Sequence, residues 1–142
     1  MKVLFVCHGN VNRSAAAYII TEKDYPEIEV KSCGVKTTDG KITSKRMRES
    51  LAKYGYETEG IRSRVITQEL VDWADKIFYM DESNRKRLIE QFGDLEKAEK
   101  LSNYAVGVSK IPDPAFSTGH EEYYKVIELL QHCIKAWITE KV

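Results

Sequence analysis

Val3-Leu4-Phe5-Val6-Cys7-His8-Gly9-Asn10-Val11-Asn12-Arg13-Ser14-Ala15-Ala16-Ala17 is the stretch on which the reading of the chain turns. An apolar run bounded by turn-forming residues predicts a buried strand over Lys2 to Val6. The alanine-rich continuation predicts a helix from Arg13 to about Lys23. The connection between them brings backbone N–H groups and the positive end of the helix to one point, where an oxyanion fits. Gly9 is free of Cβ restrictions, and Asn10 and Asn12 tolerate left-handed geometry, so the loop can curl into a nest of amides. Cys7 faces that field, which favours its thiolate form as a nucleophile. Arg13 offers a planar fork for two phosphate oxygens, and Ser14 a hydroxyl for the sulfur.

Outward from this loop, strands and helices alternate. Glu29 to Cys33 reads as a second strand, and Thr43 to Tyr54 as a helix with Met47 and Leu51 one turn apart, ended by Gly55. Lys76 to Met80 reads as a third strand, Glu82 to Phe92 as a helix, and Lys100-Leu101-Ser102 as a short fourth strand. A long amphipathic helix runs from about Gly119 to Thr139, its core stripe made of Val126, Leu129, Leu130, Cys133, Ile134 and Trp137. The loop from Gly34 to Ile42 is polar and expected at the surface. This order predicts an α/β fold, a three-layer sandwich with a central four-stranded parallel sheet flanked by helices, and a P-loop after the first strand. Ligands of such sheets bind beyond the carboxyl ends of the strands. Cys7 lies at one such end, and Val108 to Phe116 precedes the last helix, where it can fold over the same edge with Asp113.

Length and composition bound the rest. A chain of 142 residues is expected to form a single domain, residues 1–142. Lys plus Arg and Asp plus Glu both total 22, which gives no general attraction to nucleic acid or membrane. The first residues lack a signal-peptide pattern and no apolar run reaches membrane-spanning length, so a cytoplasmic protein is expected. Cys7, Cys33 and Cys133 are widely spaced and odd in number; they read as free thiols rather than a disulfide framework or a zinc site.

A thiolate that attacks a phosphoester needs an acid to protonate the departing oxygen. Asp113, stiffened between Pro112 and Pro114, is the candidate, although Asp-Pro is also ordinary turn chemistry. His8 invites a Cys–His pairing, but adjacent side chains in this loop should diverge. His120 and His132 read as solvated or capping residues of the last helix. No metal or organic cofactor is required by this chemistry.

The chain resembles the low-molecular-weight protein tyrosine phosphatase family from Met1 to about Ile138. The resemblance rests on Cys7-x5-Arg13-Ser14, on Ser32-Cys33-Gly34, on Tyr79-Met80-Asp81-Glu82-Ser83-Asn84 and on Ile111-Pro112-Asp113-Pro114, in the family's order. It implies a cysteine-dependent phosphomonoesterase acting on protein phosphotyrosine through a phosphocysteine, with Cys7, Arg13 and Asp113 catalytic. His8, Gly9, Asn10, Val11, Asn12, Arg13 and Ser14 would bind the phosphate, and Asp113 would also activate the hydrolytic water. It further implies that Asn10 stabilises the loop's left-handed turn, braced by Ser32 and Asn84 from behind, and that Phe116 forms one pocket wall. The partners implied are a phosphorylated protein or aryl phosphate, with phosphate and other oxyanions as product or inhibitors. A monomer is expected.

The chain departs from the family at several points. Asn12 stands where many members have a second cysteine able to protect the nucleophile by disulfide formation. Ala115 replaces the usual tyrosine after Asp-Pro, and the slightly shorter loop after Gly34 lacks the aromatic of the opposite wall. These changes bear on phosphotyrosine preference. Arsenate reductases of the same fold need further cysteines downstream that this chain lacks. Protein-arginine phosphatases carry a threonine where Val11 stands, and they remain the alternative on this scaffold. A non-enzymatic phosphocysteine carrier or phosphate-binding protein has little use for Arg13 together with Asp113, and both are present.

Overall fold

In the computed structural model, which describes residues 1–140, the expected alternation is present. The elements are β1 (Lys2–Cys7), α1 (Arg13–Asp24), β2 (Glu29–Gly34), α2 (Lys45–Lys53), α3 (Gln68–Trp73), β3 (Lys76–Tyr79), α4 (Glu82–Phe92), β4 (Ala98–Lys100) and α5 (Glu121–Glu140). The last two positions of the expected 1–142 domain lie outside the described residues. The four strands form one sheet in the order β2-β1-β3-β4, with every pairing parallel. Because β1 is central, its carboxyl end is flanked by strand ends on both sides.

Side-chain alternation along β1 divides the molecule into layers. Val3, Phe5 and Cys7 belong to a core completed by α1, α2 and α5. Leu4 and Val6 belong to a second core with Cys33, Leu70, Val71, Ile77 and Leu88, from β2, α3, β3 and α4. Aromatic packing anchors the first layer: Phe5 stacks on Phe78 with centroids 5.9 Å apart, and Trp137 meets Phe78 edge-on at 5.0 Å. The α5 stripe is buried as read, except that Leu129 is only partly buried while Tyr123 and Ile127 join the core.

Two elements differ from the sequence reading. The fourth strand is Ala98–Lys100, and Leu101–Tyr104 turns into a 3-10 helix that buries Leu101. The hydrophobic residue that suggested a strand is thus the plug of a turn. The short helix α3 was not read at all; its entry is capped by Thr67, whose side chain accepts the Leu70 N–H. Helix α2 starts where Ser44 accepts the Met47 N–H and ends before Gly55, which has φ +86°.

Gly34 positions the loop that follows β1. Its N–H donates to the Arg64 carbonyl, and the Val35 and Lys36 N–H groups donate to the Cys7 and His8 carbonyls. A Cβ at Gly34 would stand 2.7 Å from the His8 carbonyl oxygen and 3.1 Å from the Gly9 carbonyl carbon. Backbone cannot yield to it without moving the loop. Gly34→Ala is therefore expected to cost about 1–3 kcal/mol, read from urea denaturation.

Candidate active site

Cys7 ends β1 with 3% of its surface exposed. Its Sγ lies 2.9 Å from Ser14 Oγ and accepts the Asn10 N–H at 3.2 Å. Both contacts reach it from the loop and from the first turn of α1, so the sulfur is held inside the curl. Among the described residues, no protein acceptor meets the N–H groups of Gly9, Val11 or Asn12. These donors are free for an oxyanion.

Asn10 maintains the curl. It is the one non-glycine residue with positive φ, +57°, among the described residues, in the region that Asn tolerates better than most side chains. Its Nδ2 donates to Ser14 Oγ at 2.8 Å and to Ser32 Oγ at 3.0 Å, and its Oδ1 accepts the Arg64 N–H at 3.0 Å. Three separate segments are thereby fastened to one side chain. Asn12 makes no side-chain cap for α1; its Oδ1 accepts Ser44 Oγ–H at 2.5 Å, and the Ser44 N–H donates to the Val11 carbonyl.

Arg13 is 3% exposed. Nη1 donates to Asp81 Oδ2 at 2.7 Å and to the Ile111 carbonyl at 2.9 Å, and Nη2 lies 3.9 Å from Asp113 Oδ2. The guanidinium plane is fixed by groups far along the chain. Asp81 also caps α4 by accepting the Asn84 N–H. Burial pushes its pKa up, but the Arg13 hydrogen bond, the Asn84 N–H and the charges of Arg13 and Lys110 outweigh this and hold it below its ordinary 3.8.

Asp113 arrives on the loop before α5. Its Oδ1 accepts the Ala115 N–H at 3.0 Å, and its side chain is 41% exposed. One side of the carboxylate remains open at the pocket mouth. Cys7, His8, Gly9, Val11, Asn12 and Arg13 line a pocket of about 240 Å³ whose far side is formed by Asp113, Ala115 and Phe116. Phe116 is 95% exposed, so it stands at the rim.

Asn10 bonds Ser32, and among the described residues no hydrogen bond joins Asn84 to Asn10. Asn84 is buried at the start of α4; its Oδ1 accepts the Met80 N–H at 3.0 Å, and its Nδ2 has no hydrogen-bond partner among the described residues. The expected brace from Asn84 to Asn10 is corrected accordingly: Asn84 ties α4 to the end of β3. His8 lines the pocket and makes no hydrogen bond to Cys7 among the described residues. Cys33 pairs with Val6 in register and packs on the opposite face of the sheet from Cys7, its thiol pushed up by burial. Cys133 is buried in α5, which raises its thiol to about 11. Asp81, Ser44 and Arg64 were missed as parts of the site. The capping pattern Asp81-x-x-Asn84 directly after the third strand was the available signal for the first; nothing local marks the other two.

A thiol in an amide nest, a fixed guanidinium and a carboxylate facing both across a small pocket define a cysteine-dependent phosphatase. A family model described as low molecular weight phosphotyrosine protein phosphatase matches residues 2–142, and the chain belongs to this family. It is 33% identical over 116 residues to a protein-arginine-phosphatase of Geobacillus stearothermophilus, covering 80% of this chain and 78% of that one. It is 27% identical over 135 residues to the low molecular weight protein-tyrosine-phosphatase Wzb of Escherichia coli strain K12, covering 95% and 91%. The low molecular weight protein tyrosine phosphatase from T. tengcongensis superposes with a TM-score of 0.88 at 29% identity over 99% of both chains.

Two predictions follow from these bonds. Asn10→Gly keeps the positive φ and removes three side-chain hydrogen bonds, at a cost of about 2–4 kcal/mol; Asn10→Ala adds about 1 kcal/mol of backbone strain, and urea midpoints separate the two. Asp81 has a lowered folded pKa, so its contribution to stability is complete above its unfolded value and is lost as pH falls through the folded one. Asp81→Asn is therefore expected to be less stable than the parent at neutral pH and to lose less stability below about pH 4, measured as urea midpoints across that range.

Proposed function

We propose that the chain hydrolyses phosphotyrosine on proteins through a phosphocysteine intermediate, as a single domain and a monomer, with Cys7, Arg13 and Asp113 as its catalytic residues. The observation that carries the reading is the convergence of Cys7, Arg13 and Asp113 on one pocket whose remaining lining includes apolar Val11, Ala115 and Phe116. An aryl ring fits that lining, and a phosphoryl group fits the amide nest.

In the first step the Cys7 thiolate attacks phosphorus, an S–P bond forms and the P–O bond to the phenol breaks. Asp113 gives its proton to the departing oxygen, so tyrosine leaves neutral. Arg13 and the loop amides carry the charge spread over the equatorial oxygens. In the second step Asp113, now a carboxylate, takes a proton from water as that water attacks phosphorus. The S–P bond breaks, phosphate leaves, and the Ser14 hydroxyl donates to the returning thiolate. Ser32 and Asn10 hold the loop in this shape throughout.

A second reading, protein-arginine phosphatase, is favoured by the similarity to the Geobacillus enzyme. Phosphoarginine presents a guanidinium to the pocket wall, and Val11 offers it no hydrogen-bond acceptor. The apolar side chain at that position supports the aryl substrate.

Turnover of p-nitrophenyl phosphate is expected to vanish in Cys7→Ser; activity that survives there removes the phosphocysteine mechanism. On matched peptides, kcat/KM is expected to favour phosphotyrosine over phosphoarginine, and Val11→Thr is expected to move that ratio toward phosphoarginine by about tenfold. A parent enzyme that prefers the phosphoarginine peptide replaces the first reading with the second.

A further inference from the structure

The acid and the nucleophile sit on separate loops, which Arg13 joins at the Ile111 carbonyl. The Arg13–Asp113 approach is 3.9 Å, too long to fix the carboxylate by itself. The loop that carries Asp113 is pinned at its start, where the Ile111 N–H donates to the Met80 carbonyl and the Ile111 carbonyl accepts from Arg13. Beyond Asp113 it curls through the Ser117 N–H to Pro114 carbonyl bond. Its far end then lands on α2. Arg46 Nη1 donates to the Ser117 carbonyl at 2.5 Å, and one turn further Glu49 Oε1 pairs with His120 Nε2 at 2.9 Å.

The same helix is fastened to the P-loop. Ser44, its cap, donates its N–H to the Val11 carbonyl and its hydroxyl to Asn12 Oδ1. Helix α2 therefore holds the nucleophile loop at its cap, Ser44, and the acid loop from its first turn through Arg46 and about one turn further on through Glu49. Arg46 is the stronger of its two grips on the acid loop. Its guanidinium is always charged and presents its donors rigidly, whereas the Glu49–His120 pair is exposed on both sides and exposed pairs hold weakly.

We propose that Arg46 is a positioning residue for catalysis, setting the reach of Asp113 into the pocket by holding the Ser117 carbonyl to α2. The proposal rests on the reading of Asp113 as the proton donor. Loss of the Arg46 bond leaves the acid loop, among the described residues, with the Ile111 bonds, the long Arg13–Asp113 approach and the exposed Glu49–His120 pair as its polar ties, and its carboxylate then spends less time beside the leaving oxygen. Substrates that need a proton on departure suffer, and substrates that leave unaided suffer little.

The test measures kcat/KM with phenyl phosphate, a poor leaving group, and with 2,4-dinitrophenyl phosphate, a good one. Arg46→Met preserves the packed aliphatic stem and removes the donors; Arg46→Lys restores one donor. Arg46→Met is expected to lose about tenfold on phenyl phosphate and less than about threefold on the dinitrophenyl ester, with Arg46→Lys between it and the parent. Asp113→Asn, run alongside, is expected to lose about a hundredfold on phenyl phosphate, and Arg46→Met adds no further loss in that background. If Arg46→Met falls equally on both esters, or on neither, while Asp113→Asn remains selective, the positioning role is overturned and the acid assignment stands. If Asp113→Asn itself falls equally on both esters, the acid assignment fails and the positioning role falls with it.

Discussion

The left-handed turn at Asn10 is the constraint on which the site is built. A residue with φ +57° reverses the chain just after β1, and the direction of that reversal aims the Asn10 N–H at Cys7. An L-residue pays strain to hold such a conformation, so the turn persists because the surroundings over-determine it. Ser14 belongs to α1, Ser32 to β2, and Arg64 to the segment that runs parallel beside the end of β2 on its way to α3. One amide side chain reads the positions of all three. The loop is accordingly rigid for a tertiary reason rather than a local one.

Much of this architecture was legible in the residues. The run Val3 to Val6 and the alanines after Arg13 announced strand and helix because both are fully buried, and full burial leaves an unambiguous apolar signature. The same logic misplaced the fourth strand: Ala98–Lys100 lies at the sheet edge with no fully buried position, so it carries no such signature, and buried Leu101 beside it does. Helix α3, at six residues, is shorter than a helical period can reveal. At the site, Cys7 and Arg13 stood out by their spacing in a strand-to-helix loop and Asp113 through the family resemblance, and all three line one pocket. Arg64 was invisible because it bonds Asn10 through its backbone N–H, to which sequence is indifferent, and Ser44 because its partner Asn12 lies 32 positions away in the chain.

Charge shows the same division between the whole and the part. The chain carries equal numbers of acidic and basic residues, yet the environment of Arg13 is specified atom by atom. A guanidinium removed from water needs its donors occupied, and Asp81 with the Ile111 carbonyl occupies them on one side. What remains of its hydrogen-bonding capacity borders the pocket. The carboxylate that neutralises it is also the cap of α4, so the electrostatics of the site and the start of a helix are a single arrangement.

The partners of Arg13 lie 68 and 98 positions along the chain. Contacts of that separation form late, because the entropy of closing large loops must be overcome before they contribute. A chain still emerging from the ribosome presents Cys7 early, but the cradle that makes the thiol useful is complete only when the segment around Ile111 has docked against β3. Incompletely synthesised or misassembled molecules thus carry the Cys7 thiol while Arg13 lacks its fixed partners. The environment of Arg13 in this fold is a property of the assembled molecule.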